Sequence, residues 1–531
     1  MVSYSRRGAL SALALCVALL ALAAPSAMAD QQVAGAVVKV SAGDNGTQRL
    51  TYRIGPFDII PGQNDIDYQA IAQKPKVDGW ITRIRPDLTY VSGRVPRVDV
   101  IHLHHGVWLN MARRDATSPG LPERFFAAGE EKTIMSFPKG YAYEYEASDP
   151  WLLNHMIHNL TPVPTKVYMV YEIDFIPKTS PKARGMKPVR PIWMDVENGS
   201  LYPVFNVKKG AGEKGVFTYP NDQPAAYGSG RKQNEWVADR DGVIVSTAGH
   251  LHPGGLHTDL WMRREGAQIS KPACASKSTK TARKRCRENA PRGRGSNAHL
   301  FRSDAKYYEP AGAVSWDVAM TGTPSDWAVK VRKGDTLWTS ATYDSKRGAW
   351  WESMGIMVAY MADTGPGKDP FKKRVAFPGK PTHGHLAEND NHGGGASNLP
   401  DPRKLADGPD VSGGLVDILD FKYAMGDFSL AGQGRLPPVI RTGQSATFRN
   451  LENGQRRYHS ITSCKPPCTA KTGIAYPLAD GPVQFESNTL GSRTPASGAL
   501  EWKTPNNLKA GTYTYFCRIH PFMRGAFRVK N

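Results

Sequence analysis

Cysteine is scarce in this chain, at six in 531 residues, so cross-links cannot be what holds it together and the fold must rest on buried apolar surface. Acidic side chains are in deficit too: 48 Asp and Glu face 68 Lys and Arg, for a formal net charge of +20. That balance favours anionic partners, and no pattern in it points to sequence-specific nucleic-acid binding. Long amphipathic periods are missing, which argues against a helical bundle, and no fixed-period repeat marks a solenoid or propeller. Beyond residue 29 no apolar run is long enough to cross a bilayer as a helix.

Turn chemistry, by contrast, is abundant. The chain has 52 Gly and 40 Pro, and they punctuate short runs rich in Val, Thr and Tyr, the texture of an all-β protein. Residues 1–29 read as an export signal, with Arg6 and Arg7, an apolar run from Ala9 to Ala24, and Ala27-Met28-Ala29 before Asp30. S-R-R-G-A-L fits a twin-arginine signal as well as a general secretory one, and either expects a secreted or periplasmic product. The remaining chain suits roughly three domains at ~150 residues each. Runs such as K-V-Y-M-V-Y-E-I-D-F fill 30–195, and runs such as G-V-I-V-S-T-A-G-H-L-H fill 196–365, as two β-sandwiches. Residues 366–413 are rich in Gly, Pro, Asp and Asn and read as a linker, and 414–531 form a third β unit. Within the second unit, residues 263–302 carry twelve Lys and Arg against two Glu and read as an exposed loop pinned by a disulfide. An acidic partner or an anionic surface would fit that loop; a solvated insertion is the plainer account.

The densest chemistry lies near the end, in T-Y-T-Y-F-C-R-I-H-P-F-M-R-G-A-F-R-V from Thr512 to Val529. Cys517, His520 and Met523 share one turn between two alternating runs, and His459 lies upstream in R-Y-H-S-I-T. A His₂Cys set with a Met is the donor combination of an electron-transfer copper site: thiolate and thioether favour Cu(I), while imidazole suits both oxidation states. Three ligands on one tight loop keep such a site rigid. The C-x2-H-x2-M spacing resembles the ligand loop of the small blue-copper cupredoxins, the amicyanins in particular. The runs V-D-I-L-D-F-K-Y-A-M and G-Q-S-A-T-F-R-N-L resemble the first strands of that fold. The resemblance covers the last 115 residues or so. It implies a Greek-key β-sandwich with one type 1 copper.

Histidine is clustered upstream. I-H-L-H-H-G (His102, His104, His105), N-H-M-I-H-N (His155, His158) and G-H-L-H-P-G-G-L-H (His250, His252, His257) hold eight of the fourteen. Residues i and i+2 of a strand share a face, so His250 and His252 offer two imidazoles together, and His102 with His104 could do the same. Adjacent His104 and His105 would converge only across a bulge. The order of these clusters, followed by E-S-M-G-I-M, resembles the two-copper monooxygenases of the peptidylglycine α-hydroxylating and dopamine β type. G-H-L-H-P-G-G also resembles the plant stress-up-regulated nodulin family. By position, the monooxygenase resemblance implies one copper at His104, His105 and His158, and a second at His250, His252 and Met354. It also implies two jelly-roll-like β-sandwiches for the first two units. Met357 competes with Met354, but three apart on a strand they face opposite sides. T-H-G-H-L-A-E-N-D-N-H in the linker adds His383, His385 and His392, with a polar connector as the plainer account.

The expected function is therefore an exported copper redox protein. A blue-copper domain, supplied by a redox partner protein or a small-molecule reductant, would serve a dicopper monooxygenase-like module that hydroxylates a C–H bond with O₂. Two other classes fit the same residues: a copper carrier or resistance protein without turnover, and a binding module in which only the C-terminal domain is redox-active. Of the five cysteines beyond the leader, 274 with 286 and 464 with 468 can pair locally in an oxidising compartment, leaving Cys517 odd and available to metal. Mass spectrometry of non-reduced peptides should find those two links and no disulfide at Cys517.

Overall fold

The structure, a computed structural model, describes residues 37–531 apart from 64–65, 99, 198, 200–202, 224–233, 270–271, 309–317, 347–349, 384–398, 453–456, 469–483, 489, 492–498 and 521. It is built of β-sheets, as the turn-rich sequence expects, and among the described residues no helix is long and apolar enough to cross a membrane. The linker histidines His385 and His392 lie outside the described residues.

The first sandwich forms because its strands alternate. In Thr165–Pro177, the side chains of Val167, Met169, Tyr171, Ile173 and Phe175 all turn inward and are fully buried. Each such residue contributes about 1.5–3 kcal/mol of hydrophobic stabilisation. That strand lies between Gln48–Ile59 and Gly79–Tyr90, with Val37–Ala42 and Tyr141–Tyr145 beyond them. The facing sheet runs Ile66–Ile71, Trp151–Asn159, Ile101–Arg114, Pro122–Gly129. Leu103 and Trp108 of Ile101–Arg114 point into this core, which frees the strand's other face for its histidines.

Strand Lys187–Asp195 ties the two upstream sandwiches together. Its start pairs in parallel with Tyr141–Tyr145, and from Arg190 onward it pairs with Ile356–Ala362 of the second sandwich. Ile356–Ala362 in turn pairs with Gly242–His250, and the opposing sheet is centred on Thr336–Asp344, Gly255–Arg263 and Asn297–Tyr307. Part of the expected linker belongs to this unit: Phe371 and Val375 are buried in its core, and Lys380–Pro381 pairs with Val318–Gly322. The basic insertion is not a plain loop. Lys280–Asn289 is an α-helix, capped by Thr279 Oγ1, which accepts from the backbone N–H of Ala282, and tied by the Cys274–Cys286 disulfide. Without an apolar stripe its sequence gave no helical period; the cap, the cross-link and the Lys284–Glu288 pair supply the stability instead.

The C-terminal unit is a sandwich of two four-stranded sheets. One runs Lys422–Tyr423, Leu415–Leu419, Thr447–Asn450, Glu501–Lys503, and the other Val439–Arg441, Arg524–Lys530, Gly511–Phe516, Thr462–Cys464. It packs directly on the upstream units. Phe516 and the Cys464–Cys468 disulfide share a buried cluster with Val98, Leu160, Leu251 and Trp350, and the Arg518 guanidinium lies over the Trp350 ring.

The strand beside the histidines is anchored by a buried ion pair. Arg124 Nε donates to Asp115 Oδ2 at 2.8 Å, both side chains are 2% exposed, and the guanidinium also covers Trp193. Asp115→Ala would leave that guanidinium buried without its carboxylate, so it should lower stability by about 3–5 kcal/mol in a denaturant titration.

Candidate metal centre

The C-terminal loop delivers its ligands by backbone geometry. Cys517 directly follows the Gly511–Phe516 strand, and Met523 directly precedes Arg524–Lys530. The turn between them is closed by two hydrogen bonds: Cys517 N–H donates to Met523 O at 3.1 Å, and Met523 N–H to His520 O at 2.8 Å. His459 enters from the neighbouring segment, just before Thr462–Cys464, which pairs with the same strand. Cys517 Sγ lies 3.8 Å from His520 Nδ1 and 4.0 Å from His459 Nδ1. Among the described residues, His459, Cys517 and His520 are the one group of three His, Cys or acidic residues whose ligand atoms all lie within 4.8 Å of one another. Met523 is buried in the same core as Cys517.

The surroundings fix which atoms face the centre. His459 Nε2 bonds to Glu452 Oε2 at 2.7 Å, and His520 Nε2 donates to the carbonyl of Gly62 at 3.1 Å. Both rings therefore turn Nδ1 toward the sulfur with its lone pair available, as bound imidazoles require. The backbone N–H groups of Ser460 and His520 point at Cys517 Sγ, at 3.3 and 3.4 Å. Burial would raise the Cys517 thiol, but its contacts with His459 and His520 hold it well below its usual value, toward the thiolate that ligates metal. Burial likewise acts to raise Glu452, yet His459 and Arg457 bring it down to about 2, so it stays a carboxylate. Phe421, with its ring 4.9 Å from that of His520, covers the site.

Upstream, the structure shows how neighbouring histidines meet. The pairing of Ile101–Arg114 with Trp151–Asn159 slips between Leu103 and His105, so His104 is the extra residue of a β-bulge. The ring of His104 lies 4.3 Å from that of His252 and 6.0 Å from those of His105 and His158. His102 and His158 are cross-strand partners with rings 5.0 Å apart, and His250 and His252 are also 5.0 Å apart. The histidines expected at two sites, with His102 added, thus form one buried cluster between the sandwiches. His155 stands aside, against Phe57. Met354 is buried in the core of the first sandwich and Met357 in that of the second, so the two do face opposite sides. His383 gives its carbonyl to Tyr308.

Second-sphere contacts again set the tautomers. His250 Nδ1 is 2.9 Å from Glu131 Oε2, and His252 Nδ1 donates to Glu352 O at 2.5 Å, leaving each Nε2 buried without a hydrogen-bond partner. Glu352 adopts a left-handed φ of 46° to present that carbonyl, a costly conformation for a non-glycine residue. His105 Nε2 bonds to Asn154. Burial lowers His102 to about 4 and His105 to about 3, and, with help from neighbouring imidazoles, holds His104, His158 and His252 well below their usual value. Neutral imidazoles are the form that binds a metal ion. Glu130, also buried, has neither carboxylate oxygen hydrogen-bonded and is pushed well above its usual range by burial and by Glu131.

Sequence reasoning missed Glu452, Glu131, Glu352 and Gly62. Nothing marks them locally, because each meets its histidine across the fold.

No family model matches the chain, and no curated protein matches it. Among solved structures it is similar to variants of amicyanin: one in the reduced Cu(I) form at pH 4 (19% identity, TM-score 0.14), another in a Cu(I) form (20%, 0.13) and a third oxidised (20%, 0.14). Each likeness covers 25% of this chain and 94% of the other.

Two substitutions test the centre. Cys517→Ser should abolish the intense thiolate-to-copper absorption of the copper-reconstituted protein; a colourless wild type would remove the assignment. Glu452→Ala should weaken copper retention about 10–100-fold in a chelator competition, the usual effect of losing an outer partner.

Proposed function

We propose that this protein is an exported copper redox protein, in which a type 1 centre at His459, Cys517, His520 and Met523 exchanges electrons with copper held by the upstream histidines. The observation that carries this reading is the position of His520. Its ring is 1% exposed and lies 6.3 Å from that of His158, while His158 interacts with the backbone of Ile519. A ligand to the electron-transfer centre thus abuts the upstream cluster. The two disulfides suit an oxidising compartment.

In this reading the C-terminal residues hold and insulate the electron carrier, and the upstream residues bind the metal that meets oxygen. His104, His105 and His158 are proposed for one copper, and His250, His252 and Met354 for a second, with His102 beside the first. Copper bound there would supply one-electron redox chemistry toward O₂. The overall step is a monooxygenation: a C–H bond becomes C–OH, the second oxygen atom leaves as water, and an external reductant provides two electrons with two protons from solvent. Glu131 and the Glu352 carbonyl fix His250 and His252 in the ligating tautomer throughout.

The copper count tests this directly. Wild type should hold three coppers, one blue and two nearly colourless. The double variant His250→Ala/His252→Ala should lose one copper and any reductant-driven oxygen uptake, while keeping the blue absorption. A double variant that still binds three would exclude the proposal, and copper loss without oxygen uptake in the wild type would indicate a carrier.

A further inference from the structure

A cavity of about 190 Å³ lies where the first two sandwiches meet, and neither copper assignment accounts for it. We infer that it binds the molecule to be oxidised, and that this molecule is neutral, has about the bulk of one six-membered ring, and carries a hydroxyl-type hydrogen-bonding group. The substrate role rests on the reading just proposed; the binding does not depend on it.

Position comes first. Opposite Ile356, Val358 and Tyr360, the strand Gly242–His250 pairs His250 with Ile356, Ala248 with Val358 and Ser246 with Tyr360. Strand alternation puts Ser246, Ala248 and His250 in one row on the cavity side, while Thr247 and Gly249 turn away. Gly249 confirms the alternation, since a Cβ there would meet Thr258 and Ser303 of the second sandwich. The cavity thus ends on His250 and its partner Glu131. A molecule seated in it would lie within one imidazole of the proposed copper.

Size and polarity define the class. An apolar cavity of ~150 Å³ accommodates benzene, so this one has room for a ring and a small substituent. Phe126, Ile134 and Met135 face Ile356, Val358 and Tyr360 as its walls. A charged ligand would lose its hydration against that lining. Glu131 in the lining disfavours an anion, and the exposed Lys380, also in the lining, disfavours a cation. Ser246 supplies the polar handle: it lines the cavity, stands in the row that faces it, and is half-buried. Tyr360 cannot donate there, because its hydroxyl already donates to Phe125 O at 3.0 Å.

Calorimetric titration of the copper-loaded, full-length protein with benzyl alcohol tests the inference, with toluene and benzoate as comparisons. Saturable one-to-one binding of benzyl alcohol is expected. Ala248→Phe should fill the row and weaken it more than tenfold with copper content unchanged. Ser246→Ala removes only the hydroxyl and should weaken benzyl alcohol by about tenfold, the worth of one neutral hydrogen bond, while leaving toluene unaffected. A wild type that does not bind benzyl alcohol, an Ala248→Phe protein that binds it as well as wild type, or tighter binding of benzoate would each overturn the inference. Failure of the copper reading would appear separately, as wild-type protein that binds benzyl alcohol but carries no upstream copper, and that result would remove the substrate role.

Discussion

The hydrogen bond from His520 Nε2 to the carbonyl of Gly62, across 458 residues of sequence, is the contact on which the rest of this structure depends. It fixes the tautomer of one ligand of the C-terminal centre and docks that centre on the first sandwich. Gly62 is suited to the place. Its φ is +63°, and a Cβ there would come within 2.3 Å of Phe421, the ring that covers His520. A side chain at this position would push the C-terminal unit off its seat. His520 itself is sealed inside the chain, 1% exposed, with its ring 6.3 Å from that of His158.

Burying so many imidazoles together is costly, and the fold shows how the cost is met. The β-bulge at His104 breaks the alternation that would otherwise send adjacent histidines to opposite faces. Carboxylate, carbonyl and amide oxygens from three different segments take one nitrogen each of His250, His252 and His105. Burial holds His102, His104, His105, His158 and His252 below their usual values, which limits like-charge repulsion among them.

Much of this was legible in the sequence. The odd cysteine, the C-x2-H-x2-M turn and His459 located a compact three-donor set, because a tight loop between paired strands leaves those residues little freedom. The all-β texture was equally plain in runs such as K-V-Y-M-V-Y-E-I-D-F, whose alternation the strand Thr165–Pro177 repeats. The basic helix Lys280–Asn289 was not, since a cap and a cross-link rather than an apolar face hold it. Nor was the merging of the upstream histidines into one cluster, with His104 against His252, because strand pattern specifies which face a residue takes but not which sandwich packs on that face. Glu452 and Glu131 show the same limit: their roles come from partners brought to them by the sheets.

The central proposal, that the C-terminal centre would pass electrons to copper held by the upstream histidines within one chain, is tested most directly by pulse reduction of the fully copper-loaded protein. The blue absorption should bleach and then recover in a first-order step whose rate is independent of protein concentration. Recovery that scales with protein concentration, or no recovery while the upstream copper is oxidised and in place, would contradict it.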